Sequence, residues 1–99
     1  MACRRSCVPF VAAAWKAVDR PVLIVYGESD FVSTIGDDPY FAGMINAFHP
    51  GRATLKPIGD MDHGLNRAVS MAESFGRTGP GEFNAAIVDV VIAWLRERA

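Results

Sequence analysis

The run Val22-Leu23-Ile24-Val25-Tyr26 is the feature that most constrains this chain. Five apolar residues follow one another with no polar alternation, and Gly27 then marks a turn. A half-solvated strand alternates apolar and polar side chains. An unbroken β-branched and aromatic run of this length fits a strand covered on both faces in a mostly parallel sheet. Such a strand needs a crossover connection, helical cover and sheet neighbours, so the fold class is expected to be α/β.

The segment after it supplies the crossover. Asp38 is placed to cap a helix and Pro39 suits its first helical position, where its missing N–H costs nothing. Phe41, Met44, Ile45 and Phe48 then recur at i, i+3, i+4 and i+7 as one apolar stripe, and Pro50-Gly51 ends it. Residues 53–58 predict a second, weaker strand whose Pro57 suits a place near a sheet edge. Two parallel strands, about 22–26 and 53–58, thus form a βαβ unit. Residues 8–18, after Pro9, have helix-forming composition leading into the first strand.

Ser70 and Glu73 have capping-box spacing for a short helix, and Gly79-Pro80-Gly81 breaks the chain after it. Asn84 is placed to cap a long C-terminal helix of about 85–98, with Phe83 and Val88 spaced for a hydrophobic staple. That helix is apolar nearly all round, from Ala86 and Ile87 to Trp94 and Leu95, and so expects protein on most sides. Two strands do not satisfy the demand of the first for sheet neighbours, because stable sheets normally need three or more. Residues 1–99 therefore predict a single partial domain, the end of a larger sheet.

Composition narrows the function classes. The formal net charge is −1 with both signs mixed along the chain, which points away from nucleic acid and from anionic membranes. No apolar stretch approaches the roughly 18 residues of a membrane span, and Arg4-Arg5 precedes no signal-peptide pattern, so the expected location is cytoplasmic. Cys3 and Cys7 lack CxxC spacing and read as free thiols.

Two residues carry candidate chemistry. Asp30 lies three positions past Gly27, and His63 follows the second strand in Ile58-Gly59-Asp60-Met61-Asp62-His63-Gly64. Parallel strands put both carboxyl ends on one sheet edge, where the functional groups of open α/β sheets gather. A carboxylate there can hold one imidazole nitrogen and stabilise the imidazolium formed when the other takes a hydroxyl proton. Singly, Asp30 is a turn residue bonding nearby backbone and His63 a polar loop residue; their order and spacing favour a catalytic pair. Asp60, Asp62, His63 and His49 lack metal-ligand spacing, so no metal or cofactor is expected. Met61 and Leu65 flank the histidine, as packing residues in the first reading and as a wall of the acyl or leaving-group site in the alternative. Ser29 does not qualify as the nucleophile: Gly27-Glu28-Ser29-Asp30-Phe31 lacks the second glycine of G-x-S-x-G, and no helix starts there; Ser33 and Ser70 lack that context too.

Beyond these motifs, the sequence resembles the C-terminal portion of the α/β-hydrolase superfamily, in particular its bacterial serine hydrolases of the serine aminopeptidase or esterase type. The resemblance is carried by Trp15, Val18-Asp19-Arg20-Pro21-Val22-Leu23, Tyr26-Gly27-Glu28-Ser29-Asp30-Phe31-Val32, Ile45-Asn46-Ala47-Phe48-His49-Pro50-Gly51, Met61-Asp62-His63-Gly64 and Ala93-Trp94-Leu95. It implies that the two strands match the last two of the family's sheet, with Asp30 as triad acid and His63 as triad base. The family order of Ser, Asp, His places the serine upstream, together with the oxyanion-hole loop, the central strands and most of the specificity pocket. The implied activity is hydrolysis of a small-molecule ester or amide through an acyl-enzyme, without cofactor, in concert with a complementing N-terminal hydrolase segment. The alternative is a non-catalytic α/β module that docks its exposed sheet edge and apolar helix on a partner chain.

Overall fold

A computed structural model describes residues 12–33 and 37–98. Cys3, Arg4, Arg5, Cys7 and Pro9 lie outside the described residues, and so does the start of the helix expected over 8–18. Residues 12–17 of that helix (α1) are helical. The described elements then run β1 (Val22–Gly27), α2 (Asp37–Phe48), β2 (Ala53–Ile58), α3 (Met71–Gly76) and α4 (Ala86–Arg96). β1 and β2 pair in parallel, from Val22 opposite Ala53 to Gly27 opposite Ile58, with α2 as the crossover. This is an α/β arrangement, and its two carboxyl ends share one edge as the sequence requires.

Helix α2 packs against both strands through Ala42 and the fully buried Ile45. It begins at Asp37 rather than after an Asp38 cap, so Asp38 belongs to its first turn. Phe48, expected in the apolar stripe, is exposed at the end of the helix. The Asn46 side chain closes the crossover: its Oδ1 accepts from the Ala53 N–H at 2.8 Å and its Nδ2 donates to the Ala53 carbonyl at 3.2 Å. His49 Nε2 donates to the Lys16 carbonyl at 2.6 Å and Arg52 Nε to Asp19 Oδ1 at 2.9 Å, tying α1 to the far edge of the sheet. That places His49 at the opposite end of the strands from His63.

Two expectations about burial need correction. The residues of β1 before Gly27 are only half-buried, because among the described residues β2 is the one strand hydrogen-bonded to it. Helix α4 has no buried residue: Ile87, Val90, Val91 and Trp94 are half-covered, while Val88, Ile92 and Leu95 face outward. Its length is also shorter than expected, ending at Arg96. Phe83 and Val88, spaced for a staple, are both substantially exposed, and the Phe83 backbone instead bridges to Asn66. No helix among the described residues is long and apolar enough to cross a membrane.

The Ser70 cap of α3 is present, with Oγ accepting from the Glu73 N–H at 3.1 Å. Glu73 reaches back one residue further than a capping box requires, its Oε2 accepting from the Val69 N–H at 2.9 Å. The apolar core is Ala42, Ile45, Ile58, Met61 and Ala68, and beside it Ser29, Asp30, Asp62 and Asn84 are also buried. These polar groups lie in or against the loops that follow the two strands.

Candidate active site

The end of β1 and the loop after β2 are locked together by backbone. The Glu28 N–H donates to the Ile58 carbonyl and the Ser29 N–H to the Met61 carbonyl, each at 2.9 Å. Gly27 permits this approach, since a Cβ there would lie 2.0 Å from the Met61 carbonyl oxygen. Ser29 Oγ adds a third tie, donating to the Ala68 carbonyl at 2.7 Å from a buried position. Ser29 is therefore a strut between the two loops. Ser33 lends its backbone N–H to Asp30, and Ser70 caps α3.

Asp30 is 8% exposed and uses both carboxylate oxygens. Oδ1 accepts the N–H groups of Val32, at 2.8 Å, and Ser33, at 3.0 Å, closing a turn of the kind aspartate side chains favour. Oδ2 accepts from His63 Nδ1 at 2.9 Å. Burial pushes the carboxyl up, but the hydrogen bonds from His63, Ser33 and Val32 outweigh it and hold Asp30 below the ordinary aspartate range. An ionised carboxylate only accepts, so Nδ1 carries the proton and Nε2 of the neutral ring keeps its lone pair. The His63 side chain is half-exposed along a cleft it shares with Tyr26, Asp30, Ser33, Asp38 and Leu65. Among the described residues no hydroxyl is hydrogen-bonded to Nε2.

The loop that presents His63 is a small closed structure. Met61 and Arg67 bridge in antiparallel fashion, the Asp62 N–H donates to the Asn66 carbonyl at 2.9 Å, and the Leu65 N–H returns to the Asp62 carbonyl at 3.1 Å. Asp60 and Leu65 take left-handed backbone conformations, with φ of 54° and 67°, that turn the chain on either side of the histidine. Asn84 closes the base: its Nδ2 donates to the carbonyls of Gly59, at 3.3 Å, and Asp60, at 3.0 Å. Its Oδ1 accepts from the Ala86 N–H at 3.1 Å. The cap position of α4 is Ala85, which has no side-chain capping bond, so Asn84 sits one residue before the place expected of it and anchors the histidine loop as well.

Asp62 makes its own set of bonds beside the histidine. Oδ1 accepts from the Asn66 N–H at 3.0 Å; Oδ2 accepts from Ser74 Oγ at 2.8 Å and Arg77 Nη1 at 3.0 Å. Burial raises its carboxyl, yet the bonds from Asn66 and Ser74 and the Arg77 charge bring it below the ordinary range. Asp38, across the cleft, behaves oppositely: burial and the nearby charges of Asp30 and Asp37 raise it, with His63 pulling the other way. Among the described residues no group of three or more His, Cys, Asp and Glu side chains could hold a metal ion.

The structure thus brings together the two site residues named from sequence. Compared with known proteins, the chain matches no family model, no curated protein and no solved structure. The pairing of Asp30 with His63 therefore stands on the geometry of this chain. Sequence reasoning missed the Asp62 bonds, which join positions 12 and 15 residues apart, and the place of Asp38 on the cleft wall. The basic Arg77, just beyond the short α3, was the available signal for the first.

Proposed function

We propose that this chain supplies the acid and the histidine of a Ser-Asp-His triad for hydrolysis of an ester or amide bond. The observation that carries the reading is the 2.9 Å bond from His63 Nδ1 to the buried Asp30 Oδ2, with the half-exposed His63 lining an open cleft. In the assembled site, Nε2 takes the proton of a serine hydroxyl as that oxygen attacks the substrate carbonyl. Asp30 stabilises the imidazolium so formed. The imidazolium then gives its proton to the leaving alcohol or amine as the carbonyl–heteroatom bond breaks, leaving an acyl-enzyme. Water repeats the cycle through the same histidine, releasing the acid and restoring the serine. The chemistry calls for no cofactor. The nucleophile and the oxyanion donors come from a complementing hydrolase segment seated beside β1.

Fluorophosphonate labelling tests this. The 99-residue chain alone stays unlabelled. Joined with a segment carrying a G-x-S-x-G elbow, it makes that segment's serine reactive, and His63→Ala abolishes the labelling. Labelling of Ser29, Ser33 or Ser70 in the chain alone would overturn the proposal.

A second reading is supported by the outward row Val88, Ile92 and Leu95 on α4 and by the other edge of β1, which pairs with no further strand among the described residues. In that reading the chain is a non-catalytic α/β module that docks these surfaces on a partner chain. Complementation that restores binding but no labelling would select it.

A further inference from the structure

Asp62 does more than fill a polar site in a loop. It precedes His63 directly, its side chain is 7% exposed, and both of its oxygens are engaged. A buried carboxylate left unpaired is strongly unfavourable, so the loop is stable only where Ser74 and Arg77 meet it. Arg77 continues the tie by donating through Nη2 to the Arg67 carbonyl, on the opposite side of the closed loop. The imidazole itself has one side-chain hydrogen bond among the described residues, to Asp30, and is otherwise half-exposed. Its placement depends on where the backbone of residues 61–67 sits, and a shift of about 1 Å would part Nδ1 from Oδ2.

Charge adds a second constraint. His63 has Asp30 as its acceptor, Asp62 as its sequence neighbour and Asp38 on the cleft wall. The Arg77 guanidinium pairs with the Asp62 carboxylate at 3.0 Å and offsets one of these three negative charges.

We propose that Asp62 is a positioning residue for His63, acting through a clasp with Ser74 and Arg77 that holds Nδ1 on Asp30 and leaves Nε2 free to accept a proton. The catalytic meaning of the clasp rests on the triad reading above. Its effect on the imidazole is measurable without catalysis.

The test is the tautomer of His63 in the 99-residue chain, read from ring ¹H–¹⁵N correlations at a pH where the imidazole is neutral. The unaltered chain shows the Nδ1–H form, and Asp30→Asn calibrates its loss. In Asp62→Asn and Arg77→Met the ratio of Nδ1–H to Nε2–H falls about tenfold, as expected for the loss of one charge-assisted hydrogen bond, while amide signals of β1 and α2 stay in place. An unchanged ratio in the folded variants would overturn the positioning role and leave the triad reading intact. Should the unaltered chain show no Nδ1–H preference, the triad reading fails and this proposal with it. If both variants unfold, Ser74→Ala decides: it removes one bond and no charge, and a ratio equal to that of the unaltered chain overturns the clasp.

Discussion

Asp30 divides its two carboxylate oxygens between the chain's own backbone and His63. Oδ1 takes the N–H groups of Val32 and Ser33, and Oδ2 takes His63 Nδ1 at 2.9 Å. The turn fixes the carboxylate that the histidine meets, so the acid is held by its local chain and the base is held by the acid.

That division makes Asp30→Asn informative. An asparagine keeps an Oδ1 for the two backbone donors, so the turn and the urea midpoint should change little. The charge that stabilises the imidazolium is lost. In the complemented enzyme turnover should fall by about 10⁴, the scale seen when a triad aspartate becomes an amide. Near-normal turnover in a folded variant would remove Asp30 from the catalytic pair.

Gly27→Ala should be disproportionately costly. Its Cβ would meet the Met61 carbonyl at 2.0 Å and the adjoining carbon at 2.5 Å, both backbone atoms that no rotamer change can clear. Overpacking of this kind costs about 1–3 kcal/mol. Urea unfolding should report that loss, and the ring signals of His63 should move. A midpoint equal to that of the unaltered chain would mean the two loops part easily.

How far the sequence reveals all this depends on the range of the interaction concerned. Both strands and the crossover are legible because apolar runs, Pro50-Gly51 and the α2 stripe are local signals. Asp30 and His63 are legible because each follows a strand whose partner is also recognisable. The lesser burial of β1 and the exposed row of α4 are not, since an apolar side chain states a preference and not whether a neighbour meets it. Asp62 is the least legible: nothing beside it in the chain shows that Ser74, within α3, and Arg77, just after it, return to its carboxylate. Asn84 was half-legible: it lies one residue before the cap position expected of it and bonds the Ala86 N–H, but nothing local shows its bonds to Gly59 and Asp60.

Asn84 therefore supports two elements with one side chain. Asn84→Ala removes the acceptor for Ala86 and the donors for two carbonyls in the histidine loop, and should cost about 1–3 kcal/mol. Asn84→Asp retains the acceptor but turns a second oxygen toward those carbonyls. It should recover none of the loss at neutral pH, as calorimetric or urea unfolding would show. Full recovery by Asp would assign the whole effect to the bond with the Ala86 N–H.

Acid should weaken the fold in a defined direction. Asp30 and Asp62 both titrate lower in the folded chain than in an unfolded one, because their hydrogen bonds outweigh the effect of burial. Their stabilisation is thus complete above the ordinary aspartate value, about 3.9, and is lost as pH falls through the depressed folded values. Asp38 is raised by burial and has the reverse sign: its contribution is present below the ordinary value and fades as pH rises through its folded one. With two groups against one, the urea midpoint should fall below about pH 4. Asp62→Asn should flatten that decline while lowering stability at neutral pH. An unaltered acid profile in this variant would show that Asp62 titrates as it does in the unfolded chain.

The contact between Gly27 and Met61 has a consequence for inheritance. A position with no side chain of its own would respond to mutation as if it belonged to the pair of Asp30 and His63. A codon change there would reach an imidazole in a different segment of the chain.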